Sequence, residues 1–60
     1  MIVKMERRDR ETGIWEPCSD TQKTLHRLEG YYIDKDLMIK SLEAGEVLTT
    51  GFADYRKSLT

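Results

Sequence analysis

Cys18 and His26 are the one cysteine and the one histidine of the chain, and together they are the nucleophile-and-base pair that thiol catalysis requires. A thiol just ahead of a helix start has its thiolate favoured by the helix dipole. The spacing defeats the pair. His26 falls about two turns down the helix expected after Cys18, roughly 10 Å along the axis, so the imidazole cannot reach the sulfur. A half-buried cysteine at a helix entry and a surface histidine explain both residues. Carboxylates recur at Asp34/Asp36 and Glu43/Glu46, where Asp34 is accounted for as a helix N-cap. One Cys and one His are too few for a structural zinc site, and the sequence has neither calcium-loop spacing nor a Gly-rich phosphate loop. The expectation is a chain that is not an enzyme, with no catalytic residue, no metal and no cofactor.

Lys4, Arg7, Arg8 and Arg10 form a second constellation, with Trp15 across a turn from them. A two-stranded ribbon bearing arginines and one aromatic ring can track a phosphate backbone and stack a base. Glu6, Asp9, Glu11 and Glu16 are interleaved with these cations, however, and residues 1–30 carry equal numbers of acids and bases. No one-sign field results, and a salt-bridged, solvated hairpin face is the simpler account. Nucleic-acid binding through Lys4, Arg7, Arg8, Arg10 and Trp15 is thus the alternative function. A helix-turn-helix around Gly30 fails on its own pattern. His26 and Asp36 occupy the places where that motif wants a small and an apolar residue, and residues 34–44 hold more acids than lysines.

The aromatic residues carry more information. One Trp, three Tyr and one Phe are more large rings than so small a core can hide. Tyr31 and Tyr32 are adjacent and point in different directions, so at least one leaves the core. Tyr and Trp bury much area at low rotamer cost, which is why interfaces favour them. Trp15, Tyr31, Tyr32 and Tyr55, with Arg8 as a rim charge, are the expected contact surface for a protein partner.

The elements that must position these residues are legible in part. Val3 and Met5 alternate with Lys4 and Glu6 as in a half-wet strand, and residues 2–17 read as a β-hairpin. Asp9-Arg10-Glu11-Thr12-Gly13 suits a type I turn closed by a glycine at positive φ. Setting Asp9 opposite Ile14 places Arg8 across from Trp15 and Arg7 across from Glu16, and Pro17 ends the second arm. A helix over residues 20–30 follows, capped by Ser19 or Asp20, with Leu25 and Leu28 on one face and Tyr32 just beyond its end. A second helix over residues 34–44 has Leu37, Met38, Ser41 and Leu42 as its inner stripe, Ile39 at the margin and Gly45 as its stop. A turn followed by a short strand at 37–40 is the alternative, disfavoured by the helix propensities of Leu, Met, Lys, Glu and Ala. Residues 46–50 read as a third antiparallel strand. Phe52, Tyr55 and Leu59 then fall at helical spacing, so a C-terminal helical turn is expected, with continued strand as the competing assignment. The class is α+β, one small domain with an N-terminal hairpin.

Length and charge bound the rest. Sixty residues exclude a multidomain enzyme, and 10 Lys plus Arg against 11 Asp plus Glu exclude both a basic nucleic-acid coat and an acidic DNA mimic. No stretch approaches the roughly 20 apolar residues of a membrane span. Charge from Lys4 onward argues against a signal peptide, and an unpaired thiol fits a reducing compartment, so a cytoplasmic location is expected. A chain of this size buries only about 60% of its unfolded surface. Without disulfide or metal, a partner chain is the most economical supplement, either a second copy or a target protein. The expected function is an intracellular protein-interaction module or modulator, a class to which phage-type inhibitors of host proteins belong.

Overall fold

The computed structural model describes residues 2–59, which form four strands and two helices. These are β1 (Met5–Asp9), β2 (Trp15–Pro17), α1 (Thr21–Glu29), α2 (Lys35–Glu43), β3 (Leu48–Thr49) and β4 (Ala53–Lys57). The strands make one sheet in the order β2-β1-β4-β3, with every neighbouring pair antiparallel. The first and last strands of the chain therefore lie side by side at its centre. The fold is a small α+β sheet with helices packed on one side, as the sequence predicts.

The hairpin has the expected register, Arg8 opposite Trp15 and Arg7 opposite Glu16. Its turn explains why. Gly13 has φ +70°, its N–H donates to the Asp9 carbonyl at 2.8 Å, and the Asp9 carboxylate accepts the Glu11 N–H at 2.7 Å. The loop length and the one positive-φ residue fix the pairing. Pro17 is the last residue of β2.

Both helices start at aspartates. Asp20 accepts the Lys23 N–H and Asp34 accepts the Leu37 N–H, each at 3.0 Å; Asp20 rather than Ser19 is the cap of α1. The end of α2 is a Schellman closure, in which the N–H groups of Gly45 and Glu46 donate to the Leu42 and Ser41 carbonyls, with Gly45 at φ +88°. That closure shortens β3. Glu46 is spent on the helix end, so the ladder runs over Leu48–Thr49 rather than 46–50.

Two expectations are corrected. The C-terminal helical turn does not form: residues 53–57 are strand β4, paired over its whole length with β1. Ala53 and Tyr55 turn inward while Asp54 and Arg56 turn outward, and Phe52 and Leu59, which completed the helical spacing, are exposed. Five ladder pairs with a partner far away in sequence outweigh a local periodicity. Leu37 is not part of the inner stripe of α2. Met38 and Leu42 are buried, but Leu37 is 61% exposed, about 100° around the helix from Met38 and beside Leu48 at the sheet margin.

Ile2, Met5, Leu25, Leu28, Met38, Leu42, Ala53 and Tyr55 form the core between the helices and one sheet face. Cys18, Tyr32, Ile39 and Leu48 pack around it, half-buried. The turn geometry supplies a test. A side chain at Gly13 occupies a left-handed conformation, so Gly13→Val lowers stability by about 1–2 kcal/mol in urea titration. Gly51→Ala, at a glycine with ordinary φ and open space around it, stays within about 0.5 kcal/mol of wild type. Equal midpoints for Gly13→Val and wild type would refute the turn assignment.

Candidate functional site

Two surfaces gather the candidate residues. The first is the sheet face that no helix covers. Strand alternation sends Glu6 and Arg8 of β1, Trp15 of β2, Thr49 of β3, and Asp54 and Arg56 of β4 to this side. Arg8 donates from Nε and Nη2 to Asp54 Oδ2 at 2.9 and 2.7 Å. Arg10 approaches the other carboxylate oxygen at 3.6 Å and donates to the Thr50 carbonyl. Arg56 Nε donates to Glu6 Oε1 at 2.8 Å. The guanidinium carbons of Arg8 and Arg56 lie 4.8 and 4.0 Å from the centroid of the Trp15 ring, both in cation–π range. Asp54 is the buried charged residue of the described chain, 7% exposed. Its hydrogen bonds from Arg8 hold its carboxyl below the usual carboxylate range. Thr49 and the charges of Arg8 and Arg10 add to this, against the opposing effect of desolvation.

The second surface lies along β3, the free edge of the sheet on that side. The Tyr31 and Phe52 rings meet at a centroid distance of 6.3 Å. Tyr32, Ile33, Asp34, Leu37, Met38, Ser41 and Leu48 line an adjoining groove of about 210 Å³ between α2 and the strand. Ile33 is fully exposed and Leu37, which lines the groove with it, is exposed too; Tyr31, Val47 and Phe52 are also exposed.

The sequence-predicted residues are divided by this geometry. Trp15 and Arg8 belong to the open face. Tyr31, exposed, and Tyr32, half-buried against the core, belong to the β3 edge. Tyr55 is only 6% exposed and lies in the core, so it offers no contact surface; its hydroxyl is the main partner that raises the Arg7 pKa. Of the expected nucleic-acid set, Arg8, Arg10 and Trp15 share the open face and Arg7 does not. Arg7 pairs across from Tyr55 on the helix side of the sheet, and Arg8 and Arg10 are engaged with Asp54. Trp15 lies against two arginines, and Lys4 stands exposed ahead of β1. Ile33, Leu37, Val47, Phe52 and Arg56 are additions that sequence reasoning missed. Ile33 belongs to no periodic stripe, and Arg56 lies in the segment whose apolar spacing suggests a helical turn.

Cys18 and His26 stay apart in character as well as in sequence. His26 is exposed on α1 with Nδ1 3.7 Å from Glu29, while Cys18 packs against the core. Among the described residues, no group of three or more His, Cys, Asp or Glu could hold a metal ion. No described helix is long and apolar enough to cross a membrane.

Fold and site together define a small α+β protein with one self-paired open sheet face and one apolar sheet edge. No protein-family model matches the chain, and no curated protein or solved structure is significantly similar to it.

Asp54 gives a pH dependence whose sign follows from the direction of its shift. A carboxyl held below its unfolded-state pKa contributes stability above that pKa and loses it as pH falls through the folded-state value. Asp54→Asn therefore melts below wild type at pH 7, and the gap narrows as pH is lowered through the acid range. Melting curves recorded every half pH unit check this, and a constant gap would mean that Asp54 owes nothing to its charge.

Proposed function

We propose that this chain is a non-enzymatic protein-interaction module that docks through the free edge of β3 and the apolar side chains beside it. The observation that carries the proposal is the contrast between the two edges of the sheet. At one edge, β2 ends in Pro17 and exposes Glu16 and Pro17, and a charge and a proline are devices that stop a strand from pairing further. At the other edge, residues 47–52 read Val-Leu-Thr-Thr-Gly-Phe, with neither charge nor proline. Tyr31, Ile33, Leu37, Val47 and Phe52 stand exposed around it. An unprotected edge with an apolar rim is a docking surface for another chain, main-chain bonds giving affinity and side-chain contacts giving specificity.

The nucleic-acid alternative draws less support from the same geometry. Arg8, Arg10 and Arg56 already face Asp54 and Glu6, so phosphates would have to displace paired carboxylates to reach them. A cytoplasmic modulator of another protein is the form this role would take, and the unpaired thiol of Cys18 suits a reducing compartment.

Tyr31 and Tyr32 separate docking from folding. Tyr31→Ala leaves stability within about 0.5 kcal/mol of wild type, as a surface change does. It weakens capture of the partner in a nuclease-treated lysate, and the wild-type capture varies little between about 50 and 200 mM salt. Tyr32→Ala, which removes a ring packed against the core, lowers stability by about 1–3 kcal/mol. Equal stability losses in both variants, or capture that vanishes with nuclease, would overturn the proposal.

A further inference from the structure

The β3 edge has a geometry that selects its occupant. Leu48 lies opposite Tyr55 and Thr49 opposite Asp54, and the Thr50 N–H donates to the Ala53 carbonyl at 3.0 Å. Antiparallel ladders alternate hydrogen-bonded and non-bonded pairs. Thr50–Ala53 and Leu48–Tyr55 are the bonded pairs, so the main-chain N–H and C=O of Thr49 point away from β4 toward the open edge. Both belong to one residue, so a twofold axis through Thr49 would pair that residue with itself, each copy giving one N–H and taking one. Val47 would then face Gly51 of the second copy. No charged side chain of residues 47–52 opposes its counterpart across such an axis.

The apolar rim supplies most, not all, of the area that a second copy would cover. Tyr31, Ile33, Leu37, Val47 and Phe52, at the exposures they have, leave on the order of 700 Å² uncovered, taking roughly 200 Å² per residue. A stable interface of standard size needs about 800 Å² from each partner. Leu48 and the groove beside α2 lie on the helix side of the sheet, as do Ile33 and Leu37. Twofold pairing of the strands keeps the helices of both copies on that side and brings the two grooves together.

Resting on the docking role proposed above, we infer that the partner at this edge is a second copy of the chain. The two β3 strands pair antiparallel about Thr49, making one eight-stranded sheet from two four-stranded ones. The apolar contact comes from Ile33 and Leu37 of each copy against the groove of the other. The main-chain groups that self-pair are those of Thr49 that face away from β4.

Sedimentation of the 60-residue chain from about 1 μM to about 1 mM tests the stoichiometry. The expected species has twice the 7.0 kDa chain mass. Ile33→Asp, at a side chain wholly outside the monomer's core, returns it to the single-chain mass with an unchanged circular dichroism spectrum. The register is tested by cross-linking in a Cys18→Ser background. Bonded antiparallel partners have Cα atoms about 5.5 Å apart but Cβ atoms near the same distance, beyond the roughly 3.5–4.5 Å of a disulfide, so Thr49→Cys becomes a covalent dimer with a thiol–thiol reagent that spans about 5 Å. Val47→Cys does not, because its own counterpart is four residues away along the paired strand. A dimer that survives Ile33→Asp, or that cross-links equally at both positions, overturns the inference. A monomer at every concentration also overturns it, and lysate capture by wild type and Ile33→Asp then judges the docking role separately. Capture lost in Ile33→Asp keeps that role with a different protein as occupant, and capture retained removes it too.

Discussion

The Asp54 carboxylate is the point on which the sheet depends. It sits in a central strand, on the side no helix covers, and is nevertheless buried. Its position is tenable because Arg8 of the neighbouring strand delivers two hydrogen bonds to one oxygen, while Arg10 approaches the other and also holds the Thr50 carbonyl in the β3–β4 turn. Arg8 in turn lies over Trp15 of β2. One carboxylate thus links β4 to β1 directly, to β2 through a guanidinium and a ring, and to β3 through Thr49 and the turn. Removing one partner of such a pair is more costly than the pair is worth, because the remaining charge stays buried without compensation.

This arrangement answers a problem of size. A two-layer fold covers one face of an antiparallel sheet and leaves the other to solvent, and sixty residues supply two helices of nine residues each. Both are spent on the side of Met5, Ala53 and Tyr55, where they bury Leu25, Leu28, Met38 and Leu42. The other face is covered instead by long side chains laid along it. The methylene stems of Arg8 and Arg56 shield the sheet, and their charged heads are met by Asp54 and Glu6 and by the face of Trp15. An arginine performs here what a third helix would perform in a larger protein.

What the sequence reveals divides along the range of the interaction. The hairpin register is legible because Asp9, Gly13 and the loop length decide it within a few residues, and that register alone places Arg8 beside Trp15. Both helices are legible from Asp20, Asp34 and Gly45, whose roles at helix ends are local. The identity of β4 is not legible. Phe52, Tyr55 and Leu59 fit a helix as well as Ala53 and Tyr55 fit a strand, and only pairing with residues some fifty positions earlier decides between them. Asp54 and Arg56 vanish from view for the same reason, since nothing local shows that they will face Arg8 and Glu6. Leu37 is a subtler case. Periodicity marks it as apolar and near the stripe, but the width of the stripe depends on how the helix lies over the sheet, and there Leu37 falls outside.

The two sheet edges show how the remaining freedom is used. β2 is closed by its own covalent chemistry, since a proline has no N–H to offer a further strand. β3 is closed by nothing in its sequence; it is merely short, and its shortness follows from the Schellman closure that takes Glu46 out of the ladder. If the apolar residues around β3 served only the core, the fold would have turned them inward, as it does Leu42 and Met38. Ile33 instead has no cover at all, and Phe52, mostly exposed, meets the Tyr31 ring. Burial is what a chain of this length lacks most, and leaving five large apolar side chains in water forgoes it where the core would gain from it. That cost is recovered when another surface covers them, which is why the proposed docking is placed at this edge.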